Sequence, residues 1–279
     1  MGQTLLDANA VKAYWWDGEP NFGDLMTPYF LRRACDKNVI NVRGVRSSVG
    51  DALVGVGSIL HDLRYPGAVV WGSGFGKLAV KQFKLPPPIE VLALRGELSL
   101  SIARDAGWPN ADTLGDPGLL ASRLMPRQKI KRKYIIVPHH SHHDVFLRAL
   151  PEEVCNITSA KQSPAAVLGA ISESEVVVSS SLHGVIVAHS YAKPWVWVNI
   201  KEHPLYGGEF KFRDFFSGMS LTDVAEVSIS EYEIRSMLVS VIRDAFFPLG
   251  RSVTECQESL INVLKGSQFS ERNELLIHL

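Results

Sequence analysis

The sequence predicts an α/β protein built from two successive α/β units and a closing helical segment. Three observations carry this expectation. Short β-branched runs alternate with longer stretches of helical periodicity, the pattern of parallel strands joined by crossover helices. A basic run led by a proline interrupts that alternation near its middle. The length, 279 residues, corresponds to about two domains at roughly 150 residues each. The expected divisions are 1–126, 134–250 and 251–279.

In the first unit, strands are expected at 11–15, 53–56, 69–71 and 89–93, with helices over 24–35 and 97–106. Pro126 then precedes RQKIKRK (127–133), in which Arg127, Lys129, Lys131, Arg132 and Lys133 are basic. This run reads as a linker. The second unit has expected strands at 134–137, 154–157, 175–178 and 195–199. Part of a helix is expected at 145–150, and full helices at 164–171 and 182–191. Beyond Glu231 the pattern is helical through Ile242 and again over 257–265. No internal repeat interrupts it.

Composition narrows the function classes. Hydrophobic residues are 46% and charged residues 21% of the chain, enough to bury a core. Lys+Arg and Asp+Glu both number 29, so no global field favours nucleic acid, and any anion site must be local. Cys35, Cys155 and Cys256 are dispersed and odd in number, which argues against a disulfide framework or a paired-cysteine zinc site and fits a reducing cytosol. The most apolar region, 176–198, is broken by Ser179, Ser180, Ser181, His183, His189 and Lys193, so no membrane span is expected. The first twenty residues lack a signal-peptide pattern. A cytoplasmic protein with no metal, redox cofactor or nucleic-acid partner is the expectation.

Ligands of open α/β sheets bind at the carboxyl ends of strands, and several such junctions carry chemistry-bearing residues. In Asn21-Phe22-Gly23-Asp24, Asp24 fits either a helix cap or a general base toward a hydroxyl, with Gly23 admitting a close approach. Gly72, Ser73 and Gly74 form either a structural turn or a loop whose amides face a phosphate or sugar. No GxxxxGK[ST] accompanies them, which excludes a P-loop nucleotidase. Arg95, before Gly96 and a helix start, offers a fixed fork for a carboxylate or phosphate. Asp116 lies in a turn, Leu114-Gly115-Asp116-Pro117-Gly118, and most simply orders it.

In His139-His140-Ser141-His142-His143, consecutive residues at a strand end would diverge, so a metal site is the weaker reading. His139 facing a cleft as an acid or anion ligand is the stronger one. Ser180, Ser181 and Gly184 stand at the start of an apolar helix, where free amides and the macrodipole favour an anion. His183 in that first turn can donate a proton or bind an anionic oxygen, or else be a partly buried histidine beside a serine cap. Lys211 and Arg213 lie among aromatics in EFKFRDFF (209–216), a packed loop or a mobile lid.

Taken in order, NFGD, GVGSIL, VVWGSG, ALRGELS, LGDPGLL, IVPHH, VVVSSSLHGVIVAHSYAKPWVWV and EFKFRDFF resemble the polysaccharide pyruvyl transferase family over 15–216. The similarity is strongest to its exopolysaccharide branch, of the xanthan and succinoglycan type. The resemblance implies a GT-B-like fold, with two Rossmann-like domains facing across a cleft, the first on the acceptor side and the second on the donor side. It implies phosphoenolpyruvate as donor, a sugar of a lipid-linked glycan as acceptor, and a cyclic pyruvate ketal as product. It also places Arg95 and His183 around the donor. Some members of the family carry arginine where this chain has Ser181, and Lys211, Arg213 and His139 are the candidates to supply the missing contact.

On this reading His183 protonates the donor's methylene carbon, Asp24 deprotonates a sugar hydroxyl, and the domains close to exclude water. The 127–133 run is then either a solvated linker or a weak contact with the inner membrane surface. Two other functions remain open: a sugar-nucleotide glycosyltransferase of the same architecture, and a silent glycan-binding homologue, which only Ser181 favours.

Overall fold

The structure, a computed structural model, describes residues 9–45, 50–77 and 87–277. Its first half contains β1 (Val11–Ala13), α1 (Met26–Ala34), β2 (Val39–Asn41), β3 (Ala52–Val54), β4 (Ala68–Trp71) and β5 (Glu90–Ala93). The helices α2 (Glu97–Asp105) and α3 (Ala121–Leu124) follow. The second half contains β6 (Arg132–Val137), α4 (His143–Ala149), α5 (Pro164–Ser172), β7 (Ser174–Ser179), α6 (Leu182–Ser190) and β8 (Trp195–Ile200). It continues with α7 (Phe210–Met219), β9 (Val227–Ile229), α8 (Ile234–Arg243), α9 (Val253–Lys265) and α10 (Gln268–Asn273).

The strands form two sheets, in the orders β2-β1-β3-β4-β5 and β6-β7-β8-β9. Every pairing is parallel. Parallel sheets need cover on both faces, and the sequence meets that need with runs such as Ala68–Trp71, buried at every position. The α/β expectation with parallel strands therefore holds.

Four local expectations are corrected. The three-residue strands β2 and β9 were not anticipated, being too short to show periodicity. Residues 154–157, expected as a strand, instead contribute to a 3-10 helix at Pro151–Asn156. Pro151 fixes the backbone for a helical start, and only Ile157 bridges to Ile136. The basic run is exposed chain without helix or strand over 127–131, but the expected linker is shortened at its end, where β6 begins at Arg132, whose guanidinium donates to the Cys155 carbonyl at 2.9 Å. Lys131 pairs with Glu173 at 2.6 Å, and Arg127 donates to the Tyr191 carbonyl. Finally, 209–216 is neither loop nor lid but most of helix α7, with Phe212, Phe215, Phe216 and Met219 on its buried side.

Helix α6 is buried at all nine positions, as expected of a helix that is apolar all round. It packs on β7, β8 and α5 and reaches across to the 3-10 turn Pro117–Leu120 of the first half. One apolar cluster accordingly unites Phe22, Met26, Val56 and Leu119 with Leu182, Val185 and Phe212. A hydrophobic interface of this kind restrains hinge closure between the halves. Helix α9 returns to the first sheet: Leu260, Ile261 and Leu264 share a cluster with Val11, Leu53 and Trp71, and Trp71 Nε1 donates to the Leu260 carbonyl at 2.8 Å. Among the described residues no helix is long and apolar enough to cross a membrane.

A buried ion pair joins the end of β5 to α7. Arg95 Nε donates to Asp214 Oδ2 at 2.9 Å, with both side chains inaccessible to solvent. Asp214 also accepts from the Ser99 backbone N–H at 2.8 Å and hydroxyl at 2.6 Å. The approach is close enough that a Cβ on Gly96 would lie 1.7 Å from the Asp214 carbonyl oxygen, so only glycine fits after Arg95. Removing one partner of such a pair leaves a lone buried charge, which costs about 3–5 kcal/mol. Denaturant titrations of Arg95→Met, Asp214→Leu and the double variant should show losses of that order for each single change and a double loss well below their sum. Losses that simply add would mean that the two groups do not act as a pair.

Candidate functional site

A cleft of about 250 Å³ opens at the carboxyl ends of strands from both sheets. The segment after β1 contributes Asn21 and Asp24 to its lining, the segment after β6 contributes His139, and the start of α6 contributes Ser181 and His183. Lys211, in the first turn of α7, completes this set.

The local sequence explains each placement. Asn21 Oδ1 accepts from the Gly23 N–H at 3.0 Å, an Asx turn that lifts the chain into α1. No side chain caps α1, so Asp24 is not consumed as a cap. It is only 8% exposed, and its carboxyl makes no hydrogen bond among the described residues. Ser181 is the cap residue of α6 but makes no capping bond, so no side chain caps the first-turn amides of a helix whose start lines the cleft. His183 packs on the opposite segment: a Cβ on Gly23 would fall 1.8 Å from its Nδ1. Its Nε2 is buried without a partner. Lys211 forms no ion pair among the described residues.

Burial dominates the electrostatics. It pushes the Asp24 carboxyl up to about 7, against the opposing pull of Lys211. Burial, then Arg95 and Lys211, lower His183 to about 3. Burial and the charge of Arg95 bring Lys211 down to about 8, with Asp24 opposing. His139 is lowered to about 2 by burial and next by Lys211. Near neutrality the site therefore holds a carboxyl able to carry a proton, two neutral imidazoles and one ammonium. Such a set, below an uncapped helix N-terminus, can bind an anion and move protons in both directions.

Other residues singled out by the sequence lie outside the cleft lining. Arg95 is fully buried, and beyond Asp214 it donates to Ser58 Oγ at 2.6 Å and the Phe75 carbonyl at 2.7 Å. It reaches the cleft through Ser58, which does line it. Gly74 lies against that guanidinium, where a Cβ would come within 2.4 Å of Cζ. Gly72 has φ +81° and abuts Pro117, while Ser73 Oγ donates to the Gly57 carbonyl at 2.9 Å. Ser180 Oγ accepts from the His139 N–H at 3.0 Å, and Gly184 lets α6 approach Ser179 and Val137. Arg213 faces away, paired with Glu209 at 3.0 Å and stacked on Trp197. His139, His140 and His142 do not diverge as expected: the His139 ring lies 4.2 Å from that of His140, at a 39° tilt, and 6.0 Å from that of His142, while His142 Nε2 turns to the His203 carbonyl at 2.6 Å.

Asp116 orders its turn, accepting from the Gly118 N–H at 2.8 Å through Oδ1. Its other oxygen is buried without a partner. Sequence reasoning missed Trp16, Glu19, Ser58, His61, Asp62 and Tyr206, all of which line the cleft. Ser58 was visible within GVGSIL, but the others carry no motif.

Two outcomes follow from this geometry. Gly23→Ala should destabilise the fold and displace His183, whereas in a His183→Ala background the same change should cost much less, as thermal melts of the four proteins would show. Equal costs in both backgrounds would disprove the contact. The second concerns Asp116, raised to about 7 mainly by burial, with Arg95 opposing. A carboxyl with a higher folded than unfolded pKa contributes stability that is full at low pH and lost as pH rises toward 7. The melting temperature of Asp116→Asn should therefore gain on that of the wild type between about pH 5 and 8. A constant difference would remove the effect.

Comparison with known proteins adds to these observations. The sequence model of the polysaccharide pyruvyl transferase family matches residues 6–202. The succinoglycan biosynthesis protein ExoV of Rhizobium meliloti (strain 1021) is 26% identical over 226 residues, covering 76% of this chain and 66% of that protein. The chain thus spans just under two thirds of that relative's length. An uncharacterized protein of Acanthamoeba polyphaga mimivirus is 25% identical over 220 residues, 74% of either chain. Among solved structures, an uncharacterized protein of Klebsiella pneumoniae subsp. pneumoniae has a TM-score of 0.48 at 13% identity, covering 79% of this chain and 94% of its own. A variant of the wall teichoic acid polymerase TagF has a TM-score of 0.46 at 8% identity, covering 95% of this chain and 89% of that one.

Proposed function

The chain belongs to the polysaccharide pyruvyl transferase family, and on that basis we propose that it is a transferase moving a pyruvyl group from phosphoenolpyruvate to a sugar of a growing exopolysaccharide. The acceptor is a lipid-linked glycan unit, and the product is a cyclic pyruvate ketal. One observation carries the reading: Asp24, His183 and Lys211, drawn from both halves, converge without partners on one small cleft. At about 250 Å³ it lies just below the roughly 300–1,000 Å³ of sites for larger ligands. A three-carbon phosphate is a better match to it than a nucleotide-sugar.

The donor's anionic groups lie against Lys211, the Ser181 hydroxyl and the first-turn amides of α6. Lys211 takes the place of the arginine that some members of the family carry at the position of Ser181. The titration pattern favours proton roles opposite to those expected from sequence. The raised Asp24 carboxyl donates its proton to the methylene carbon, which becomes a methyl group. The central carbon then accepts the oxygen of one sugar hydroxyl, whose proton passes to neutral His183. The oxygen of a second hydroxyl attacks the same carbon as its bond to the phosphate oxygen breaks. That hydroxyl's proton restores Asp24, while His183 protonates the departing phosphate. Both hydroxyls belong to one sugar, so the second attack is intramolecular and gains from proximity.

Architecturally, the two sheets are read as the cores of Rossmann-like domains over 1–126 and 134–250, facing across the cleft in the GT-B manner. The packing of α9 on the first sheet supports that reading. The shared apolar cluster means that the site is assembled with the halves as they stand.

Calorimetry decides between donors. Phosphoenolpyruvate should bind the wild type, UDP-glucose should be silent, and Lys211→Met should weaken binding by about 10–100-fold, the worth of a hydrogen bond to a charged group. Binding of UDP-glucose without phosphoenolpyruvate would replace this reading with a glycosyltransferase.

A further inference from the structure

The cleft has a second face that the donor chemistry does not use. Trp16 and Tyr206 both line it, yet they are 38% and 67% exposed. Large aromatics held at a cleft's mouth call for a reason, because burial is their default. They come from opposite sides, Trp16 from the segment after β1 and Tyr206 from the segment between β8 and α7.

Trp16 is held in place. The Arg43 guanidinium lies over its ring, 4.0 Å from the centroid, and is itself fixed by Asp17 at 2.6 Å. Asn41, at the end of β2, donates to both the Trp15 carbonyl and Asp17, at 3.1 Å each. Gly18 folds so closely against the indole that a Cβ there would fall 2.5 Å from its Cζ2. Tyr206 is braced in a similar way, with Lys77 Nζ 5.0 Å from its ring centroid. The same mouth carries Glu19 and Asp62, whose carboxylates are 59% and 54% exposed. Pre-set rings beside hydrogen-bond acceptors suit a ligand with apolar C–H faces and equatorial hydroxyls, which is the chemistry of a pyranose.

We infer that Trp16 and Tyr206 form an acceptor-sugar subsite at the mouth of the cleft, stacking on the sugar ring while Glu19 and Asp62 accept hydrogen bonds from its hydroxyls. The inference rests on the pyruvyl transfer reading for the role of that sugar, but not for its binding. The anion end, at Lys211 and the start of α6, and the sugar end, at the two rings, occupy different parts of one cleft. Donor and acceptor can therefore be held together.

The test is a titration of the full chain by nitrogen-15 NMR, following indole N–H signals. Methyl β-glucoside, methyl β-galactoside and methyl α-mannoside serve as probes, and phosphoenolpyruvate is titrated separately. The Trp16 signal is identified by its loss in Trp16→Phe. At least one glycoside should shift that signal. Read from the backbone amide signals that the glycoside shifts, Trp16→Ala and Tyr206→Ala should each raise its Kd by at least about tenfold, Trp16→Phe should raise it less, and phosphoenolpyruvate affinity should stay within twofold. The subsite is refuted if no glycoside moves the Trp16 signal, or if both alanine variants bind sugar like the wild type. Failure of the wild type to bind phosphoenolpyruvate would instead count against the donor reading, and the sugar titration would still decide the subsite.

Discussion

The site depends on the buried pair between Arg95 and Asp214. An arginine inside a protein must have its charge neutralised and its N–H groups occupied, or the structure rearranges to expose it. Here those needs are met by Asp214, Ser58 and Phe75, and each partner has a consequence for the cleft. Asp214 and Lys211 are three residues apart on α7, so they share a helix face. Fixing one against β5 carries the other to the cleft. Ser58, held by the same guanidinium, forms part of the opposite wall. Arg95 is thus a positioning residue for groups on both sides.

The charge pattern follows from the same packing. Lys211 stands close enough to Arg95 to be destabilised as a cation, and His183 feels both. The cleft is therefore positive in its surroundings while its imidazoles stay neutral, an arrangement that favours an anion before any contact is made. Asp24 is the counterweight. Its burial costs more than the attraction of Lys211 returns, so the site is poised to keep a proton there. A bound anion would raise Asp24 and His183 together, keeping the first protonated at higher pH and strengthening the second as a base.

Much of the fold was legible in the chain, because parallel strands buried on both faces leave apolar runs and the helices between them keep their period. The misreadings have physical causes. The segment 154–157 carries β-branched Val154 and Ile157, but Pro151 had already committed the chain to a helical turn. In 209–216 the aromatic density hid a helical spacing at Phe212, Phe215, Phe216 and Met219. Asp24 and His183 could be found because each sits at a strand-to-helix junction. The role of Arg95 could not, since its partner is 119 residues away in sequence and nothing local marks Asp214. The glycines were visible as a loop motif but not as contacts. Gly23, Gly74 and Gly96 each accommodate a side chain or backbone from elsewhere in the chain, which only the folded arrangement shows.

The interface between the halves also bears on how water is kept from the reaction. Closure of two domains is one solution, and it needs an interface that can open. Phe22, Met26, Val56 and Leu119 are instead packed into the same cluster as Leu182, Val185 and Phe212, so opening would expose a large apolar surface. The remaining way to seal the cleft is to fill its mouth. Trp16 and Tyr206 stand there, and a sugar ring stacked between them would displace solvent from above the donor. On that view the acceptor itself completes the enclosure, and the electrophilic carbon is generated under a cover that already carries both attacking hydroxyls.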